Sequence, residues 1–230
     1  MWLPLRPTTG DIHVSTLYPE REPRMAGVIG HRFQPAGVSP VLLDGVPISS
    51  PVDTWRMLSS ELSLDELVAA GDSLVRRQTP LATLQELQRV VLQGAGYRGI
   101  SLLRRALSLV REDADSARET DLRLLIARSG LPEPTVNERV SAPGAPTRYG
   151  DLVFRRWRTI AEDDGQHHRT NPTAYARDVV RLEQLSADEW MMIRVLNEHF
   201  SDPTSIARRI AAALARNGWR PPRSKLHLLR

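Results

Sequence analysis

Tyr149-Gly-Asp151-Leu-Val-Phe154-Arg-Arg-Trp157-Arg-Thr-Ile-Ala-Glu162-Asp163-Asp164, continued by Gly165-Gln-His-His168, holds two strand-like runs and a cluster of acids. Tyr149–Phe154 and Trp157–Asp163 are short, β-branched and aromatic runs, and an arginine pair separates them. Two such runs so close together read as neighbouring paired strands. Asp151 opens the first and Glu162 lies near the end of the second. On paired strands the two carboxylates meet across the ladder. Two or three oxygens converging at a strand end suit a hard divalent cation such as Mg2+ or Mn2+. Such an ion polarises a phosphodiester and lowers the pKa of a bound water.

Working outward, Val136–Val140 reads as a further strand upstream. Before it, Ser116 is a good N-cap for a helix with Glu119 in its first turn. Leu122, Leu125 and Ile126 form that helix's apolar side, and Gly130-Leu-Pro ends it. Downstream, Asn171-Pro172 opens a helix running to about Leu185. Trp190–Leu196 is a compact apolar strand, and Pro203 begins a last helix to about Ala215 with Ile206, Ile210 and Leu214 on one face. The order is α-β-β-β-α-β-α. It brings Glu119 toward Asp151 and Glu162, with Asp164, His167 and His168 on the turn that follows.

Upstream, residues 1–50 hold β-like runs at Asp11–Leu17, Ala26–His31 and Val38–Asp44, divided by Pro and Gly. They predict a small sheet or β-rich appendage. Residues 51–112 turn helical, with expected helices from Pro51 to Leu58, Leu64 to Arg77, Leu81 to Leu92 and Ile100 to Val110. Gly94-Ala-Gly96-Tyr-Arg-Gly99 matches the dinucleotide-binding fingerprint in form. That motif needs a preceding strand, and Leu84–Leu92 reads as helix, so helix–turn–helix punctuation is the better account.

Composition narrows the chemistry further. The 230 residues are 41% hydrophobic, enough for one or two domains with a real core. Cysteine is absent, which excludes disulfides, thiol nucleophiles and cysteine-ligated zinc and fits a cytoplasmic protein. No window approaches the length of a membrane span. The early prolines interrupt what a secretory signal needs. Of the 31 basic residues only Lys225 is lysine, which disfavours a Walker loop, a Schiff-base enzyme and a nuclease that uses a catalytic lysine. From Pro203 onward there are seven basic groups and no acid, while the first 202 residues carry 24 basic and 27 acidic groups. A basic C-terminus suits a polyanion such as nucleic acid, or is simply a solvated helix face with a tail.

Taken together, Ser116-Ala-Arg-Glu119-Thr, Asp151-Leu-Val and Glu162-Asp-Asp164-Gly165-Gln-His-His168-Arg169 resemble the PD-(D/E)xK nuclease superfamily. The likeness is to its very-short-patch-repair-like branch, over about residues 113–218. Arg177-Asp178-x-x-Arg181 and Trp190-Met-Met-Ile-Arg194-Val also look like that branch. Upstream, Gly27-Val-Ile-Gly-His31, Pro51-Val-Asp-Thr-Trp55 and Leu67-Val-Ala-Ala-Gly-Asp72 resemble actinobacterial proteins related to AbiEi-like components of type IV toxin–antitoxin systems. Such proteins usually carry a winged-helix region further upstream; here it is missing, or the chain begins after it.

The resemblance implies an α/β (α+β) fold. Its core is a restriction-endonuclease-like mixed sheet flanked by helices over residues 113–218. The β-rich segment 1–50 and helical region 51–112 precede it, and a basic tail 219–230 follows. It implies that Asp151 and Glu162 ligate the metal, that Glu119 supports them and that His168 is the acid–base candidate. Asp164 stands where the superfamily's lysine is usual, and Asp163 where relatives are commonly hydrophobic. Arg169, Arg177, Arg181, Arg208 and Arg209 are the expected phosphate contacts, with DNA as the partner and a toxin or antitoxin as a further one.

Each residue also has a plainer reading. Ser116-x-x-Glu119 is a capping box. Asp151 follows a glycine and can end a turn, Glu162 to Asp164 can be a solvated acidic turn, and the arginine pairs can be helix-face ion pairs. Three functions follow: a Mg2+-dependent DNA endonuclease, an inactive nucleic-acid-binding or regulatory protein, and a protein-interaction module.

Overall fold

The computed structural model describes residues 10–33, 40–141, 147–164, 185 and 188–221. The chain divides into two compact units, Met1–Glu112 and Asp113–Arg230. Together they carry helices and mixed sheets, an α/β architecture.

The first unit opens with two small sheets. β1 (Ile12–Leu17) pairs in parallel with β2 (Val28–Phe33), and β3 (Val41–Leu43) pairs antiparallel with β4 (Val46–Ile48). Neither β1 nor β2 contains a fully buried residue. Four helices follow: α1 (Pro51–Leu58), α2 (Leu64–Leu74), α3 (Leu84–Gln93) and α4 (Ile100–Leu109). Local chemistry starts three of them. Ser50 accepts from the Asp53 N–H, and Ser63 and Thr83 each form a reciprocal capping box with the glutamate three residues on. Each box satisfies two of the backbone donors that a helix start leaves open.

The helices pack around Trp55, whose indole N–H donates to the Leu67 carbonyl at 2.8 Å. Gly71 permits that closeness, since a Cβ there would stand 2.6 Å from a Val110 methyl and 3.2 Å from the Trp55 nitrogen. Asp72 is buried and accepts from the Arg111 N–H at 2.8 Å, anchoring the chain as it leaves α4. The segment Gly94–Gly99 is the turn between α3 and α4. Gly99 caps α4 at a φ of 83°, with a Ser59 oxygen 2.6 Å from where a Cβ would lie. A helix rather than a strand precedes the three glycines, as the helix–turn–helix reading requires.

The second unit begins with α5 (Ala117–Arg128), then β5 (Thr135–Arg139), β6 (Tyr149–Phe154), a short 3-10 turn and β7 (Thr159–Asp163). β8 (Met191–Val195) and α6 (Pro203–Arg216) complete it. The four strands form one sheet in the order β5-β6-β7-β8. The first two pairings are antiparallel and β7 runs parallel to β8. A parallel neighbour requires a crossover between the end of β7 and the start of β8. The expected helix from Asn171 lies outside the described residues, except that Leu185 is buried in the core.

Strand alternation sends side chains to two faces. Leu152, Phe154, Ala161, Ile193 and Val195 join Leu122 and Ile126 of α5 and Ile206, Ile210 and Leu214 of α6 in the larger core. Val153, Ile160, Val140 and Leu185 form a smaller cluster, with Trp190 and Met192 against it. Both faces of the sheet are therefore covered, and a sheet of this kind holds its register tightly.

Candidate functional site

The register places the acids. Leu152 faces Ala161 and Val153 faces Ile160, so the next facing position outward sets Asp151 opposite Glu162. Facing residues of an antiparallel pair have Cβ atoms about 4.5–5.5 Å apart. The row continues on both sides. Glu162 is aligned with Arg194 on β8. On β5, Val136 faces Leu152 and Glu138 faces Gly150, which leaves Asn137 opposite Asp151. Asn137, Asp151, Glu162 and Arg194 thus cross all four strands in one line.

Asn137 has a φ of 46°, in the left-handed region that asparagine tolerates. Its ladder pairing is interrupted there, and its amide turns to other partners. Nδ2 donates to a Glu119 carboxylate oxygen at 3.0 Å and also to the Asp113 carbonyl. Glu119 is buried at the start of α5. The same Glu119 oxygen accepts from the Asp115 N–H at 3.0 Å, while the Glu119 N–H donates to the Ser116 hydroxyl at 3.1 Å. The capping reading is realised with a difference: the glutamate reaches one residue beyond the N-cap. Burial pushes the Glu119 pKa up, and the hydrogen bonds from Asp115, Ser116 and Asn137 partly oppose that shift. Asn137 ties this helix start to β5, and nothing in its sequence neighbourhood singles it out.

Asp151 is half-buried, and one of its oxygens accepts from the Asp163 N–H at 3.0 Å. That bond ends the β6–β7 ladder with a side chain. Glu162 is buried, at 6% exposure. Asp163 points to the opposite face, by strand parity, and pairs with Arg118 of α5 at 3.9 Å. The Arg118 guanidinium lies over the Phe200 ring at 3.9 Å. Burial raises the Asp163 pKa, Arg118 lowers it and Asp164 raises it again. The acid that the resemblance leaves unaccounted for is therefore held against the helix layer, on the face away from Asp151 and Glu162.

Asp164 extends the parallel ladder, its N–H donating to the Val195 carbonyl at 3.0 Å, and its carboxylate pairs with Arg194 at 3.7 Å. Arg194 consequently stands beside two acids, its register partner Glu162 and its ion partner Asp164. A guanidinium keeps its charge throughout the physiological range, so it offsets their repulsion without exchanging protons.

On α6, Arg208 and Arg209 lie exposed, Arg208 opposite the apolar stripe of Ile206, Ile210 and Leu214 and Arg209 on its flank. Arg209 donates to the Arg194 carbonyl at 2.9 Å and approaches His199 Nδ1 at 3.0 Å. The guanidinium thereby reaches the β8 end that carries Arg194. His168, Arg169, Arg177 and Arg181 lie outside the described residues.

The donor set could hold a hard cation that takes only one or two protein ligands. Mg2+ is commonly held by one or two carboxylates and keeps several waters. Asp151 and Glu162 supply two carboxylates on one face, and one Asp151 oxygen is already engaged by Asp163. Among the described residues, the group of three potential metal-binding side chains with ligand atoms within 4.8 Å of one another lies elsewhere, at His13, His31 and Glu61.

Two uncharacterized proteins of Mycobacterium tuberculosis, from two strains, are each 28% identical to this chain over 154 residues. The match covers 62% of this chain and 57% of each relative, so the chain spans less than two thirds of the length of these relatives. No family model matches, and no solved structure matches. Among the described residues no helix is long and apolar enough to cross a membrane.

Proposed function

We propose that the Asp113–Arg230 unit is a very-short-patch-repair-like member of the PD-(D/E)xK superfamily, a metal-dependent endonuclease acting on DNA. The observation that carries this reading is the facing position of Asp151 and Glu162, where β6 begins and β7 ends. Asp151 and Glu162 would hold Mg2+ or Mn2+. When bound, the ion supplies Lewis-acid activation of a phosphodiester and a nucleophilic water at neutral pH.

The chain's own residues do the rest. The Asp163 N–H orients the Asp151 carboxylate, and burial on a rigid sheet holds Glu162. Arg194 and Asp164 balance charge beside them. Arg208 and Arg209 would place positive charge against backbone phosphates, a contact that weakens steeply with salt. His168 is the proton carrier in this reading. The setting is cytoplasmic.

A second reading is favoured by Asp164. It stands at the usual lysine position and is engaged with Arg194, an arrangement that suits a non-cleaving DNA-binding or regulatory protein of an AbiEi-like toxin–antitoxin system. The test is incubation of the purified chain with supercoiled plasmid, linear duplex and single-stranded DNA, plus Mg2+ or Mn2+, beside Asp151→Ala and Glu162→Ala. The nuclease reading expects metal-dependent cleavage that both variants lose. Salt-dependent binding without cleavage selects the second reading, and neither binding nor cleavage removes both.

A further inference from the structure

We propose that His13, His31 and Glu61 form a second metal site, for Zn2+, which ties the β1–β2 ribbon to the turn after α1. The site lies wholly in the first unit and is independent of the acidic row. Strand parity builds half of it. In the parallel pair His13 faces Ile29 and Ser15 faces His31, so the two histidines are diagonal neighbours on one face. Their rings stack with centroids 5.0 Å apart, and Phe33, next along that face, stacks on His31 at 6.2 Å. His13 Nδ1 and His31 Nε2 stand 2.8 Å apart. Glu61 comes from the turn closing α1, where its N–H donates to the Leu58 carbonyl, and its carboxylate lies within 4.8 Å of both nitrogens.

Two imidazole nitrogens and one carboxylate oxygen are the donor set of three-ligand zinc sites, with water completing the tetrahedron. Nitrogens bound to one tetrahedral Zn2+ at about 2.0–2.1 Å lie about 3.3 Å apart. That is about half an ångström more than found, a spread that small side-chain rotations of His13 and His31 provide. His13 and Glu61 are exposed and His31 is half-buried, so an ion has an open approach.

The ribbon also has a mechanical need for such a clip. A two-stranded sheet is marginal on its own, and β1 and β2 bury no residue fully. Cysteine is absent, so no disulfide can staple them. A metal clip does the same work by adding its binding free energy to the folded state.

The experiment is calorimetric titration of ZnCl2 into the untagged full-length chain after chelator treatment. The expected result is one Zn2+ per chain that His13→Ala and His31→Ala each weaken by about 100-fold or more, the upper range for loss of a mere outer-shell partner. Asp151→Asn leaves that binding unchanged, which keeps this site distinct from the acidic row. Zinc also raises Tm of the wild type in proportion to its affinity and leaves Tm of the double histidine variant unmoved. Circular dichroism confirms that the variants stay folded. Absence of zinc binding, or binding that the folded double variant retains, overturns the proposal and leaves the two rings sharing only an N–H···N hydrogen bond.

Discussion

The two-stranded sheet β1–β2 and the four-stranded sheet β5–β8 use ionisable side chains in opposite ways. The larger sheet has helix and loop side chains against both faces, so Glu162 is 6% exposed and Asp163 has its pKa raised by burial. Its acids are held by specific donors: Asp163 N–H for Asp151, Asn137 and Asp115 for Glu119. The small ribbon has no such cover. Its histidines sit near water, stacked on each other rather than locked by a surrounding core. A covered sheet can hold charge in a fixed place and alter its titration. An open ribbon can only bring ligands near each other, and it needs an outside ion to gain rigidity from them.

The largest contrast lies in apolar packing. Ile160→Ala in the covered sheet is expected to cost about 2–5 kcal/mol, the range for emptying a filled core site. Ile12→Ala in the ribbon, at 66% exposure, is expected to cost less than about 0.5 kcal/mol. Denaturant midpoints of the two variants measure the difference, and equal losses would break the comparison.

Next in size is Asn137. Asn137→Gly keeps the positive φ but removes both amide hydrogen bonds, an expected loss of about 1–3 kcal/mol because a buried Glu119 oxygen loses a donor. Asn137→Ala should cost about a further 1 kcal/mol for the left-handed backbone. In both variants the Glu119 pKa climbs further, which carboxylate NMR titration reads.

The Asp163 acid sharpens the contrast through pH. Its folded pKa lies above its ordinary value, so the stability associated with its protonated form is present below the ordinary carboxylate range and is lost as pH rises through the raised value. Asp163→Asn is therefore expected to melt higher than wild type near neutral pH, with the gap closing in acid. A variant that instead melts lower than wild type near neutral pH would show that Arg118 rather than burial governs this residue.

The smallest effect belongs to the exposed Arg24–Glu22 pair at 3.3 Å. Arg24→Ala should shift stability by no more than about 0.5 kcal/mol, and added salt should change nothing further.

Much of the fold was legible locally. Pro51 and the Ser116 cap mark helix starts because a helix end must satisfy its own free donors, whereas the helix expected from Leu81 begins at Leu84, behind the Thr83 capping box. Tyr149–Phe154 falls where its β-branched and aromatic run lies, and the period of two put Asp151 and Glu162 on one face once those strands paired. The expected strand from Trp157 begins at Thr159 instead, because Arg155–Trp157 form a 3-10 turn and Arg158 takes a left-handed conformation. Likewise α2 stops at Leu74 rather than Arg77.

Near neighbours therefore account for the helix starts at Pro51 and Ala117, strand alternation, the scarcity of lysine and the facing of two acids across a short connection. Tertiary structure alone decided the rest. Asn137 meets Glu119 across 18 positions, Arg194 meets Asp164 across the β7–β8 crossover, and His13 meets His31 and Glu61 through a parallel pairing. Those meetings depend on which strands become neighbours and how helices pack over them. That choice is made by burying apolar surface over the whole unit, and no local pattern of residues carries it.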